Sequence, residues 1–158
     1  MRDVERVVSR STDETLELAG TVGDLLRAGD VVSLVGDLGA GKTVFARGVA
    51  RALDVTEPVV SPSFTIVREY EGRMPLVHVD VYRIDTVQEL YDLGFEELVR
   101  DDGVTLVEWG DMIDGLLPGD RLDVRLTPGA TDDERVVEIE GHGRSWRARA
   151  AELALGTA

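Results

Sequence analysis

Two periods organise the hydrophobic positions of this chain. Up to Pro118, short apolar runs alternate with stretches of three-to-four spacing, the signature of buried strands alternating with amphipathic helices. Val4, Val7 and Val8 predict a first strand. Ser11, with Glu14 three residues on, reads as a capping box that opens a helix carrying Leu16, Ala19, Val22 and Leu26, with Gly29 as its stop. Asp30 begins a turn into Val31–Val35, an apolar run short enough to be a strand buried on both faces. A glycine-rich loop follows, then a helix with Phe45, Val49 and Leu53 on one side. Further strands are expected at Phe64–Glu69, Leu76–Val81 and Val104–Glu108, with a helix over Val87–Val99 broken near Gly94.

Beyond Pro118 the period becomes two. Leu122, Val124 and Leu126 alternate with polar residues, as do Val137 and Ile139, which predicts a hairpin with one wet face turning near Pro128-Gly129. A last helix is expected over Ser145–Leu155. The sum is an α/β domain with a mainly parallel sheet and antiparallel edge strands, and with no linker or repeat to divide residues 1–158.

The glycine-rich loop carries the chemistry. Gly36-Asp37-Leu38-Gly39-Ala40-Gly41-Lys42-Thr43 fits the phosphate-loop pattern G-x-x-x-x-G-K-[ST], with a strand before it and a helix after it. Glycines let successive N–H groups turn inward around phosphate oxygens, and the following helix aims its positive end at them. Lys42 supplies a slim charge for the β- and γ-phosphates, and the Thr43 hydroxyl a magnesium ligand. The architecture then reads as a P-loop NTPase-type three-layer sandwich. Lys42 is also the single lysine of a chain whose sixteen other cations are arginine. A forked guanidinium does not replace an ammonium in a tight phosphate cradle, so this lysine is informative.

Such a loop needs acidic groups for magnesium and for the attacking water. Asp80 and Glu108 stand near the ends of two predicted strands, where α/β sheets present ligand-binding residues. Either suits the metal and either suits the water. His78 shares a strand face with Asp80 and reads equally as a structural or a catalytic residue. Ser61–Thr65 reads as a γ-phosphate switch or a plain connection, Trp109 as core or as part of the site, and Tyr82-Arg83 as packing or as a nucleotide sensor. With no asparagine in the chain and its one lysine already used, the Asn-Lys-x-Asp guanine box is absent, which favours ATP.

Composition narrows the class. There is no cysteine, so thiolate chemistry and disulfides are excluded, and no apolar run approaches the ~18 residues of a membrane span. No membrane association and a cytoplasmic location are expected. A net charge of −14 opposes direct contact with nucleic acid over most of the surface. Residues 85–114 hold ten acids against Arg100 alone, either a solvated face or a docking surface for a basic partner. Arg144, Arg147 and Arg149, with no acid nearby before Glu152, form the one basic stretch where an exception is to be sought.

Taken together the chain resembles the TsaE (YjeE) family, small ATPases of tRNA threonylcarbamoyladenosine synthesis. The resemblance rests on GDLGAGKT at Gly36–Thr43, SPSFTIVREY at Ser61–Tyr70, HVDVYR at His78–Arg83, DLGFEE at Asp92–Glu97 and LVEW at Leu106–Trp109. Ser63 stands where the family usually carries threonine, and keeps the hydroxyl. The resemblance implies a Mg–ATP site at Gly39–Thr43, flanked by Asp37, Leu38 and Trp109. Thr43 and Glu108 would lie near the metal, with Lys42 and Asp80 as their catalytic company. It further implies that Thr12, Thr15 and the Asp133–Arg135 turn lie near base or ribose. Finally it implies partner proteins, a TsaB–TsaD complex that carries the transfer step, with tRNA reached only through them. A small-molecule kinase and a regulatory module without turnover are the rival readings. A kinase of this size usually adds an arginine-rich lid, and no compact arginine-rich insertion interrupts the strands.

Overall fold

The computed structural model describes residues 4–37, 40–60, 67–81, 99–109 and 117–156. Seven strands form one sheet: β1 (Val4–Ser9), β2 (Val31–Val35), β3 (Val67–Glu71), β4 (Pro75–Asp80), β5 (Val104–Glu108), β6 (Arg121–Pro128) and β7 (Arg135–His142). Their order across the sheet is β1-β7-β6-β2-β5-β4-β3. β6, β2, β5 and β4 run parallel, while β7 pairs antiparallel with both β6 and β1 on one side and β3 pairs antiparallel with β4 on the other. The expected sheet is the observed one. Every residue of β2 and β5 is buried, as their largely apolar runs lead one to expect, with Ser33, Thr105 and Glu108 as buried polar members.

Alternation sorts the strand residues between two cores. Val32, Leu34, Leu76, Leu106, Leu122, Val124, Leu126, Val137 and Ile139 belong to the larger one, beneath the helices α1 (Thr12–Leu25), α2 (Lys42–Ala52) and α3 (Arg144–Gly156). Val31, Val77, Val79, Val81 and Val107 form the smaller one on the opposite face. Two of the three expected layers are thereby described. The helix expected over Val87–Val99 lies outside the described residues apart from Val99. The strand expected from Phe64 has only its Val67–Glu69 portion within them, and β3 continues to Glu71.

Local chemistry sets the ends. Ser11 caps α1 by accepting from the Glu14 amide (3.1 Å), while Glu14 accepts from the amide of Arg10 (2.6 Å), one residue before the usual capping-box target. The helix stops at Leu25, earlier than Gly29. Leu26 leaves the helix at an extended ψ of 143°, and Gly29 instead makes the later turn with φ +94°. α1 and α2 cross at small residues. A Cβ on Gly48 would stand 2.5 Å from Ala19 Cβ, and one on Gly23 2.5 Å from Ala52 Cβ, so the crossing tolerates no larger side chain.

The C-terminal basic stretch is not what its sequence suggests. Arg149 is buried: its two terminal nitrogens donate to Asp30 at 2.6 and 2.9 Å and one also to the Leu25 carbonyl at 2.9 Å. Only Arg144 and Arg147 remain exposed. Among the described residues no helix is long and apolar enough to cross a membrane.

Candidate phosphate-loop site

β2 delivers the chain to the loop and α2 receives it. Gly41, the residue before α2, sits at φ +104°, a left-handed conformation that costs a side-chain-bearing residue free energy. At Gly36 a Cβ would meet the Leu126 carbonyl at 2.6 Å and Ala40 Cβ at 3.0 Å, so β6 presses directly on the loop. These two glycines are required by geometry. Leu38 and Gly39 lie outside the described residues.

Lys42 is 5% exposed and lies within the turn of its own loop. Its ammonium donates to the carbonyls of Gly36 and Asp37, the latter at 3.0 Å, and stands 3.8 Å from the centroid of the Trp109 ring. Trp109 gains this position through φ +65°, which turns the chain sharply after β5 while its amide still donates to Leu34 (2.8 Å). A bulky residue in that region is uncommon and strained. The sequence left Trp109 open between core and site. Its ring packs against the smaller core and covers the lysine as well.

The two predicted acids meet. Asp80 and Glu108 are direct register partners at the ends of the parallel strands β4 and β5. By strand alternation they share a face with Leu106 and Leu76 of the larger core, the face that α2 covers. Both are nearly buried, at 6% and 3% exposure. His78, two residues before Asp80 on that face, makes a 2.6 Å hydrogen bond through Nε2 to Glu108 Oε2. The residues fit a hard cation. Thr43, Asp80 and Glu108 offer only oxygen, the donor set magnesium prefers, and it takes few protein ligands when phosphates supply the rest. Among the described residues no cluster of three or more His, Asp or Glu forms a self-sufficient metal cage.

Thr12 and Arg135 lie to the side of the loop. Arg135 donates through Nε to the Ala40 carbonyl (3.0 Å) and through Nη1 to the carbonyls of Asp132 (2.6 Å) and Glu134 (2.8 Å). It therefore ties the β6–β7 turn to the phosphate loop. A cavity of about 260 Å³ opens between Asp37, Ala40, Arg135 and the turn Pro128–Asp132, and a smaller one of about 50 Å³ between Thr12, Thr15, Gly41, Val44, Asp132, Asp133 and Arg135. The sequence singled out Asp133–Arg135 but not Gly129–Thr131, whose only signal was the Pro-Gly turn. Ser61–Thr65 and Tyr82-Arg83 lie outside the described residues.

A glycine-rich loop between a central parallel strand and a helix, with two register-paired acids beside it, defines a P-loop-type α/β nucleotide-binding protein. Comparison with known proteins gives the family. The sequence model for threonylcarbamoyl adenosine biosynthesis protein TsaE matches residues 9–137. The tRNA threonylcarbamoyladenosine biosynthesis protein TsaE of Bacillus subtilis is 42% identical over 142 residues, covering 89% of this chain and 88% of that one. The protein of the same name from Treponema pallidum is 43% identical over 113 residues, covering 72% and 84%. A crystal structure of YdiB from Bacillus subtilis superposes with a TM-score of 0.86 at 34% identity, covering 100% of this chain and 99% of that one. The chain belongs to the TsaE family.

Proposed function

We propose that this chain, as one domain, is a magnesium-dependent ATPase that supports tRNA threonylcarbamoyladenosine formation by acting on a TsaB–TsaD partner complex. The observation that carries the reading is the placement of Asp80 and Glu108. Two register-paired acids on the sheet face covered by the phosphate-loop helix are the arrangement hydrolysis needs, beyond what nucleotide binding alone needs.

In this reading the loop amides and the start of α2 hold the phosphates, and Lys42 leaves its loop carbonyls to meet the β- and γ-oxygens. Thr43 and one of the two acids, Glu108 or Asp80, would hold the metal directly or through water. Magnesium, when bound, neutralises phosphate charge and draws electron density from the bond being broken. Whichever of Asp80 and Glu108 does not take the metal orders the water for in-line attack. Thr12 and Arg135 border the base or ribose, the two side cavities giving them room. Partner proteins, rather than this chain, grip tRNA, in keeping with its net charge of −14. The location that suits this role is the cytoplasm.

The test is reconstitution with TsaB, TsaD and tRNA substrate. Slow phosphate release by the chain alone is expected, faster release with the partners, and loss of both in Lys42→Ala and Thr43→Ala. A wild-type chain that neither releases phosphate nor sustains repeated modification rounds would refute the assignment.

A further inference from the structure

We infer that His78 is a positioning residue for Glu108, fixing which carboxylate oxygen faces the phosphate-loop ligand. The inference rests on the reading of Glu108 as an acid of the Mg–ATP site. It concerns a residue whose role the motif HVDVYR leaves open.

Three observations carry it. First, the bond is short and shielded: Nε2 to Oε2 is 2.6 Å, with His78 fully buried and Glu108 3% exposed. A carboxylate only accepts, so Nε2 carries the hydrogen, and Oε2 is committed to His78. Glu108 Oε1 makes no hydrogen bond among the described residues and is the oxygen left to face a ligand. Second, the imidazole pays for this contact. Its other nitrogen, Nδ1, is buried with no hydrogen-bond partner among the described residues. A histidine kept only for packing normally satisfies both ring nitrogens, and an apolar side chain there would leave none unmet. Third, the surroundings make His78 out of place for any other purpose. Its register partner on β5 is Leu106, and Leu76 precedes it on the same face, both in the larger core. A polar ring where that apolar face gives way to the two acids, aimed at Glu108, is the arrangement by which outer residues orient a metal-site ligand.

The consequence is directional. With Oε2 tethered, Glu108 is held to a single rotamer and offers one oxygen rather than a two-oxygen grip. Removing the tether frees the carboxylate to rotate, and the cost falls on magnesium-dependent steps rather than on phosphate binding by the loop.

The experiment compares His78→Leu, His78→Gln and His78→Asn in the full chain, alone and combined with Glu108→Gln. The amide nitrogen of glutamine reaches the position of Nε2, whereas that of asparagine stands where Nδ1 was and falls short of Glu108. ATP affinity is measured by calorimetry with and without Mg2+, alongside kcat, KM and thermal unfolding. Expected for His78→Leu and His78→Asn is an unchanged metal-free ATP affinity. Their magnesium-dependent tightening and kcat fall by about 10- to 100-fold. His78→Gln restores both to near wild type, and in the Glu108→Gln background none of the three adds a further loss. A folded His78→Leu with full magnesium dependence overturns the inference, as does a loss that persists in Glu108→Gln. If His78→Leu does not fold, equal behaviour of the Gln and Asn variants overturns it instead. A wild-type chain whose ATP affinity ignores Mg2+ refutes the ATPase reading itself, and the role of His78 with it.

Discussion

Arg149 and Asp30 lie 119 residues apart in sequence and form a two-pronged ion pair that fastens the last helix to the turn before the central strand. The Arg149 guanidinium also lies 3.7 Å from the centroid of the buried Trp146 ring. Asp30 does double duty, accepting from the Arg27 amide at 2.6 Å. Breaking a buried pair by removing one partner strands the other, at about 3–5 kcal/mol. Arg149→Met is therefore expected to lower unfolding free energy by about 3 kcal/mol, read by chemical denaturation. Arg149→Lys should recover only part, because one ammonium cannot span both carboxylate oxygens, the Leu25 carbonyl and the ring. The double variant Asp30→Asn/Arg149→Met should cost less than the two single losses added together.

Trp109 covers Lys42 from a left-handed backbone conformation, so its two contributions have separate signatures. Nucleotide phosphates that draw the ammonium away from the ring should change tryptophan emission. That change should vanish in Trp109→Phe, while the buried Trp146 gives a constant background. The strain shows in stability. Alanine at 109 keeps the φ of +65° without the ring, whereas glycine relieves it. Trp109→Gly should be more stable than Trp109→Ala by about 1 kcal/mol, the reverse of the usual order outside left-handed positions. Equal stabilities would show that the backbone relaxes at no cost.

Gly36 and Gly41 fail for different reasons when given a methyl group. At Gly41 space is available, with the nearest foreign atoms at 3.8 and 3.9 Å, but φ is +104°. Gly41→Ala should thus cost about 1–2 kcal/mol of strain and twist the start of α2. At Gly36 the new methyl would strike the Leu126 backbone, pushing β6 away from the loop. Nucleotide affinity should fall more in Gly36→Ala than stability does, a split that calorimetry and thermal unfolding resolve together.

Arg100 donates to both oxygens of Asp102 at 2.8 and 2.9 Å and stands 3.7 Å from Glu69. The hydrogen bond from Arg100 holds the Asp102 carboxyl below its usual range and raises Arg100 in return. A carboxyl lowered in the folded state adds stability above its unfolded value, near pH 4, and loses it as pH falls through the folded one. The pair is solvent-exposed, so the effect is small and fades with salt. Asp102→Asn should therefore flatten the acid limb of the stability profile at low ionic strength by lowering stability slightly at neutral pH and leaving it unchanged in strong acid.

What the sequence made legible was periodic or contiguous. The parallel strands, the capping residue Ser11 and the phosphate loop are each written within a few neighbouring positions. The position of Asp80 and Glu108 at strand ends was legible because both close largely apolar runs. The burial of Arg149 was not legible because Asp30, which pairs with it, is distant in sequence and adjacent only in the fold. The partner of His78 was hidden for the same reason, since register between β4 and β5 decides which acid it meets. The end of α1 was misplaced because Gly29 looked like a stop, while an extended Leu26 ends the helix sooner without any glycine.

Arg135 gives the last prediction, because it joins the β6–β7 turn to the phosphate loop by donating to backbone carbonyls of both. Its Nε holds Ala40 and its Nη1 holds Asp132 and Glu134, a fork that fixes both walls of the 260 Å³ cavity. Arg135→Ala should cost about 1–2 kcal/mol of stability from unmet hydrogen bonds. It should weaken nucleotide binding about tenfold, equivalent to about 1.4 kcal/mol, by letting Ala40 and the turn drift. Arg135→Lys keeps the charge and loses the fork, so it should resemble alanine in affinity. If lysine restores binding, the arginine acts as a charge on the nucleotide, and the turn needs no tether. Titrating ATP against the matching triphosphates of other bases adds the second half of the test. A positional role predicts uniform weakening, whereas direct contact with the base predicts a change in their ranking.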